Sequence, residues 1–180
     1  MSKRRVQTVI LCEDIQHQVF VYRFLKLRGA DIRAITVLCS PKGRGSGTQF
    51  VLNRFPVEVK AYRSKSTYLS LCLIVVIDAD DLSVEERIRQ LDDCLVDAGQ
   101  PRRTAQERIV ILVPKRNIET WIRYLDGNGA DETTAYPKLS EESKCKSAVR
   151  RLVDLYPRDI QDDAPDSLLR ACTEAKRCNT

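Results

Sequence analysis

The chain is short of the residues on which several common functional classes depend. It has one histidine, His17, and its seven cysteines are scattered: Cys172 and Cys178 stand apart from any second pair, so no zinc-finger spacing exists. A structural zinc site is not expected. The cysteine number is odd, and Cys12, Cys39 and Cys72 fall inside apolar strand-like runs, which favours reduced core thiols over a disulfide scaffold and fits a cytoplasmic protein. No apolar stretch approaches the roughly 20 residues needed to cross a bilayer. The basic start at residues 1–5 (MSKRR) is followed only by the short apolar run at 9–12 and then by acids, which is not a signal-peptide pattern. A soluble protein without internal repeat, heptad array or low-complexity tract is expected.

What is present reads as one α/β domain of 180 residues, a size that buries a sizeable core without staples. Strand-like runs at 6–12, 32–38, 71–77 and 109–113 alternate with helical patterns at 15–28, 47–55, 84–98 and 118–125, and a short edge strand is expected at 57–61. This alternation predicts right-handed crossovers and a mainly parallel four-stranded sheet with helices on both faces. After Gly127 the pattern changes. Residues 1–127 form the expected core, and 128–180 form a C-terminal helical extension packed on the same domain, with helices at 141–156 and 167–177.

The third apolar run, LCLIVVI at 71–77, ends abruptly in Asp78, Ala79, Asp80 and Asp81. Open α/β sheets place their chemistry at this edge. Asp78 and Asp80 are two apart, so on an extended backbone both carboxylates point the same way. Oxygen donors gathered at one spot suit a hard cation such as magnesium, which takes one or two carboxylates and leaves its other positions to water and phosphate. The plainer alternative is that these acids end the strand in solvent, or that Asp80, Asp81 and Ser83 cap a helix beginning near Val84. The first run, VQTVILC at 6–12, delivers Glu13 and Asp14 in the same manner. If the two strands are parallel neighbours, Glu13 sits beside Asp78 and Asp80, and their repulsion is unfavourable unless a cation or a shared proton offsets it.

A strand ending in Glu13, a helical unit, and a later strand ending in Asp78-x-Asp80 resembles the Toprim domain of topoisomerases, bacterial primases, small RNA-maturation nucleases and overcoming-lysogenization-defect type nucleases. The segment 114–121 (PKRNIETW) is similar to one in uncharacterised Toprim-like families, and Tyr136-Pro-Lys and Ala164-Pro-Asp-Ser-Leu add support. One departure is Asp14, which stands where many Toprim proteins carry glycine. The resemblance implies a Toprim-like three-layer fold and a nuclease dependent on Mg2+ or Mn2+, with Glu13, Asp78 and Asp80 catalytic and metal-holding. It also points to small stand-alone proteins found near ATPases in bacterial and phage-defence loci. A separate ATPase subunit is therefore an expected partner, and a non-catalytic module docking on such an ATPase is the alternative function. A homo-oligomer is open.

Further candidates surround this centre. Glu119 follows the fourth strand at the same edge, either as a fourth metal carboxylate or as a first-turn acid complementing a helix dipole. His17 lies four residues after Glu13 and, with Asp14 and Asp81, is an auxiliary candidate; its plainer reading is a surface or capping residue. Lys42, Arg44, Lys115 and Arg116 are candidate nucleic-acid contacts, consistent with a net charge of +5, although a solvated surface accounts for them equally. The loop 43–48 (GRGSGT) lacks the Lys-Ser/Thr end of a P-loop, so ATP binding by this chain is disfavoured. Trp121, with Ile118, Ile122 and Leu125 around it, reads as a core anchor.

Overall fold

The structure, a computed structural model, describes residues 6–158 and 160–178, so the basic start at 1–5 lies outside the described residues. Four strands, β1 (Gln7–Cys12), β2 (Ile35–Cys39), β3 (Leu71–Val76) and β4 (Ile109–Leu112), form one sheet in the order β2-β1-β3-β4. All three pairings are parallel, as the crossover lengths predict. Among the described residues, six α-helices flank it: α1 (Ile15–Leu27), α2 (Gly47–Lys65), α3 (Val84–Asp97), α4 (Glu119–Leu125), α5 (Lys146–Leu155) and α6 (Asp166–Ala175). The chain is an α/β protein of three layers.

Strand periodicity divides the core. Ile10, Cys12, Ile74, Val76 and Val110 face α1, α4, α5 and α6, whereas Leu11, Leu73, Val75, Ile109 and Ile111 face α2 and α3. Both faces are covered, which is why the central runs are apolar throughout rather than alternating. The C-terminal extension belongs to the first of these layers: Ala148, Val149 and Leu152 of α5 and Leu168 and Ala171 of α6 share one cluster with Phe20 of α1 and Trp121 of α4. An Arg103–Glu174 ion pair at 2.6 Å, largely shielded from solvent, ties α6 to the segment before β4.

Two expectations fail here. The edge strand at 57–61 is helical, because α2 runs without interruption through Pro56. A proline in a helix interior costs roughly 3 kcal/mol. Val51, Leu52, Phe55, Val59 and Tyr62 recur at helical spacing and are buried, and at about 1.5–3 kcal/mol each their burial outweighs that cost. The expectation of reduced thiols also fails in part, since Cys72 at the start of β3 and Cys178 are joined in a disulfide with Cα atoms 5.9 Å apart. The turn after α6 crosses the sheet face at the foot of β3, and a separation of 106 residues leaves no trace of this in the sequence. Cys12, Cys39, Cys94, Cys145 and Cys172 are free, but the step from thiols to a reducing compartment no longer holds. Among the described residues, no helix is long and apolar enough to cross a membrane.

A cross-link closing a loop of about 100 residues stabilises by roughly 4.7 kcal/mol in the chain-entropy treatment. Chemical denaturation with and without a dithiol reductant is expected to show a loss of several kcal/mol on reduction. Cys178→Ser should match the reduced wild type and be insensitive to reductant.

Candidate functional site

β1 and β3 are direct neighbours with Cys12 opposite Val76, so the residues that follow them leave the sheet together at the same edge. Glu13 is thereby brought to the Asp78–Asp80 turn. Its carboxylate accepts a hydrogen bond from Thr48 Oγ1 at 3.1 Å. Burial, and then the Asp78 charge beside it, push the Glu13 carboxyl up to about 7, with Asp80 adding to the effect. The approach of α2 to this strand end is close: a Cβ on Gly47 would lie 2.7 Å from the Glu13 carbonyl oxygen and 3.0 Å from Glu13 Cβ.

Asp78 is nearly buried, and its Oδ1 lies 3.0 Å from Nε2 of His17, which is 0% exposed. His17 is thus not the surface or capping residue of the plainer reading. Burial alone would lower its proton affinity, but the adjoining Asp78, with Asp14 and Glu13 behind it, raises the imidazole to about 9. Asp14 caps α1, accepting from the His17 backbone N–H at 3.0 Å, and its other oxygen meets Lys138 Nζ at 3.1 Å. Burial opposes ionisation of Asp14, yet His17 and Lys138 hold its carboxyl below the usual range. Glu119 is the first residue of α4, 4% exposed, and its carboxyl is raised by burial and by Asp78 and Asp14. Glu13, Asp14, Asp78 and Glu119 therefore share one electrostatic neighbourhood around His17.

Asp80 departs from the extended-backbone expectation. Its φ is 53°, and its side chain turns to Arg87 Nη2 at 3.2 Å, on the α3 side of the sheet, while Asp78 turns to His17 on the α1 side. Asp80 stays 57% exposed, and burial together with Asp78 raises its carboxyl. The buried Arg87 guanidinium also donates to the carbonyls of Asp78 at 2.9 Å and Ala79 at 3.3 Å, holding the turn from below. Neither Asp80 nor Asp81 caps α3; Ser83 does, in a capping box with Glu86. Asp81 instead pairs with Arg116, whose φ is 66°.

Lys115 and Arg116, expected at a polyanion, are engaged within the protein. Lys115 bonds the Leu82 carbonyl through Nζ and Ser167 Oγ through its backbone N–H, and Arg116 carries the Asp81 pair. Trp121 is the core anchor expected, its indole N–H donating to Ser167 Oγ at 2.8 Å. Lys42 and Arg44 are exposed on the glycine loop, Lys42 lying 3.8 Å from Glu142. A cleft of about 400 Å³ opens beside the acids, lined among others by Glu13, Asp14, Lys42, Gly45, Glu119 and Lys138. Sequence reasoning missed Gly47, Thr48, Arg87 and Lys138 as parts of this site. Thr48 and Gly47 end the glycine loop noted for other reasons, and Lys138 lies in the Tyr136-Pro-Lys segment. Arg87 carried no signal.

Among the described residues, no three histidine, cysteine, aspartate or glutamate side chains are drawn into a ready metal cage. The side chains gathered at this edge are carboxylates, the kind magnesium and manganese take in ones and twos, so the chemistry of the donors fits a hard divalent ion. Comparison of the chain with protein-family models, with curated proteins and with solved structures finds no match.

Two outcomes are expected. Gly47→Ala sets a methyl against backbone that cannot swing aside, and should destabilise by about 1–3 kcal/mol in a denaturant titration. Glu13 and His17 each hold a proton more tightly when folded than their ordinary values of 4.5 and 6.5. The stability they contribute is full below those values, and falls as pH rises through about 7 for Glu13 and about 9 for His17. Urea midpoints of the metal-free protein should decline from pH 5 to 9, and Glu13→Gln should flatten the lower part of that decline.

Proposed function

We propose that the chain is a Toprim-like nuclease that hydrolyses phosphodiester bonds of DNA or RNA with Mg2+ or Mn2+, acting as an effector in bacterial or phage defence in the cytoplasm. The observation that carries this reading is the meeting of Glu13 with Asp78 at the tips of two adjacent parallel strands, with Asp80 in the turn that follows. Asp78 would hold the divalent ion with Glu13, Asp80, turned to Arg87, would reach it through water, and Glu119 lines the same cleft as Glu13. When bound, the ion supplies Lewis-acid stabilisation of charge on a phosphate oxygen.

The chain's own groups supply the rest. Glu13, poised near neutrality, suits proton transfer at the reacting phosphate, since a general acid or base works best with a pKa near the operating pH. Lys42 and Lys138, exposed at the cleft, suit contacts to flanking phosphates, with Arg44 beside them on the same loop. Phosphate contacts of this kind position a nucleic acid without reading its sequence.

The test is a cleavage panel over plasmid, single-stranded DNA, tRNA and bulk RNA, with Mn2+, Mg2+ or EDTA. Cleavage is expected only with divalent ion. Asp78→Asn and Glu13→Gln should each lower it at least ~100-fold, within the range for loss of general acid–base catalysis. Full cleavage by both variants would refute the reading. Inertness of the wild type towards every substrate, with co-purification of an ATPase, would favour the docking-module alternative.

A further inference from the structure

His17 has a position that packing alone does not explain. It is completely buried, so it touches no substrate, and among the described residues its ring bonds to a carboxylate 61 residues away at the tip of β3. Its second ring nitrogen, Nδ1, has no hydrogen-bond partner among the described residues and lies 3.9 Å from Asp14 Oδ1. A buried polar atom left unpartnered is destabilising, a penalty that an apolar side chain of similar volume would avoid. The first turn of α1 is already capped by Asp14 through the His17 backbone, so the helix start does not require the imidazole. What the imidazole adds is a fixed orientation of Asp78.

We propose that His17 is a positioning residue for the metal-dependent chemistry: by donating to Oδ1 it locks the Asp78 side chain and leaves Oδ2 as the oxygen offered to a divalent ion. The inference rests on the nuclease reading above and adds a direction of approach. With Oδ1 engaged on the α1 side, the other oxygen of Asp78 is the one available to an ion shared with Glu13, while Asp80 is turned to Arg87. Outer-shell partners that orient a ligating side chain typically contribute 10–100-fold to metal affinity or activity. Hydrogen-bonded ligating carboxylates are of this type.

The experiment compares wild type, His17→Leu, which fills the space without a donor, and His17→Gln, which restores an N–H donor. Free Mn2+ is measured by electron paramagnetic resonance without nucleic acid, and the Mn2+ concentration for half-maximal cleavage is measured with a labelled oligonucleotide. His17→Leu should raise both concentrations 10–100-fold, with a smaller change in kcat at saturating Mn2+, and His17→Gln should recover most of the loss. Binding by His17→Leu equal to or tighter than wild type, or no recovery in His17→Gln, would overturn the proposal.

A second measurement does not depend on the folding of either variant. The protein has one histidine, so its imidazole nitrogen resonances are unambiguous. They should shift as Mg2+ is added to the wild type, with the midpoint of activation. Wild type that binds Mn2+ and cleaves while its histidine signals ignore Mg2+ would sink the positioning role alone. Wild type that neither binds nor cleaves would remove the nuclease reading, and this inference with it.

Discussion

Repulsion among carboxylates at one end of the sheet is the constraint around which the molecule is arranged. The parallel pairing of β1 with β3 forces Glu13 and Asp14 to emerge beside Asp78, and α4 adds Glu119 to the same space. Like charges in a partly desolvated site cannot all ionise at no cost. Three of these acids are relieved by different devices: Asp78 by the buried His17, Asp14 by Lys138 and the helix start, Glu13 by Thr48 and by keeping its proton to higher pH. These devices come from α1, α2 and the C-terminal extension, so every layer contributes to the one edge.

The Asp78–Asp80 turn extends the same logic into the backbone. Its two carboxylates diverge to opposite faces, one to His17 under α1 and the other to Arg87 on α3. Divergence requires a left-handed residue at Asp80, and Arg116, joined to Asp80 by a single β-bridge, is left-handed as well. Non-glycine residues in that region cost of order 1–3 kcal/mol each and persist where their surroundings over-determine them. Arg87 is what over-determines this turn, since it bonds two successive carbonyls and a carboxylate while shielded from water. Among the described residues, the strain of left-handed non-glycine backbone is therefore held at the acidic site.

Much of this was legible in the residues, for identifiable reasons. The four strands, their parallel sense and the helix after each followed from apolar runs and crossover lengths, signals that depend only on local pattern. The meeting of Glu13 with Asp78 required a strand order, which pattern does not carry. The full extent of α2 was missed because 57–61 (VEVKA) alternates like a short strand when read alone, whereas Val59 and Tyr62 continue the buried face begun by Val51, Leu52 and Phe55. Cys72 and Cys178 were unpaired on paper, since a turn crossing the foot of the sheet has no sequence signature. His17 was underestimated for a related reason: a lone histidine in a first turn is ordinarily a surface residue, and only the placement of β3 beside β1 supplies the carboxylate that draws it inward.

The division of basic residues follows from where each sits relative to the turn. Arg87, Lys115 and Arg116 bond to carbonyls and to Asp80 and Asp81 of the turn. They shape the turn. Lys42 and Lys138 stand in front, at the cleft that Glu13 and Glu119 also line, and most of each side chain is open to solvent. Asp80 is reached from the outside of the same edge, whereas His17 is sealed beneath it and Asp78 keeps only a small part of its side chain open. On the proposed reading, a phosphate chain lying across the strand tips would meet exposed lysines and Glu13 on one flank and Asp80 on the other. The charges that hold such a chain and those that hold the protein's own turn are thus separate sets, which allows the first to be altered without unfolding the second.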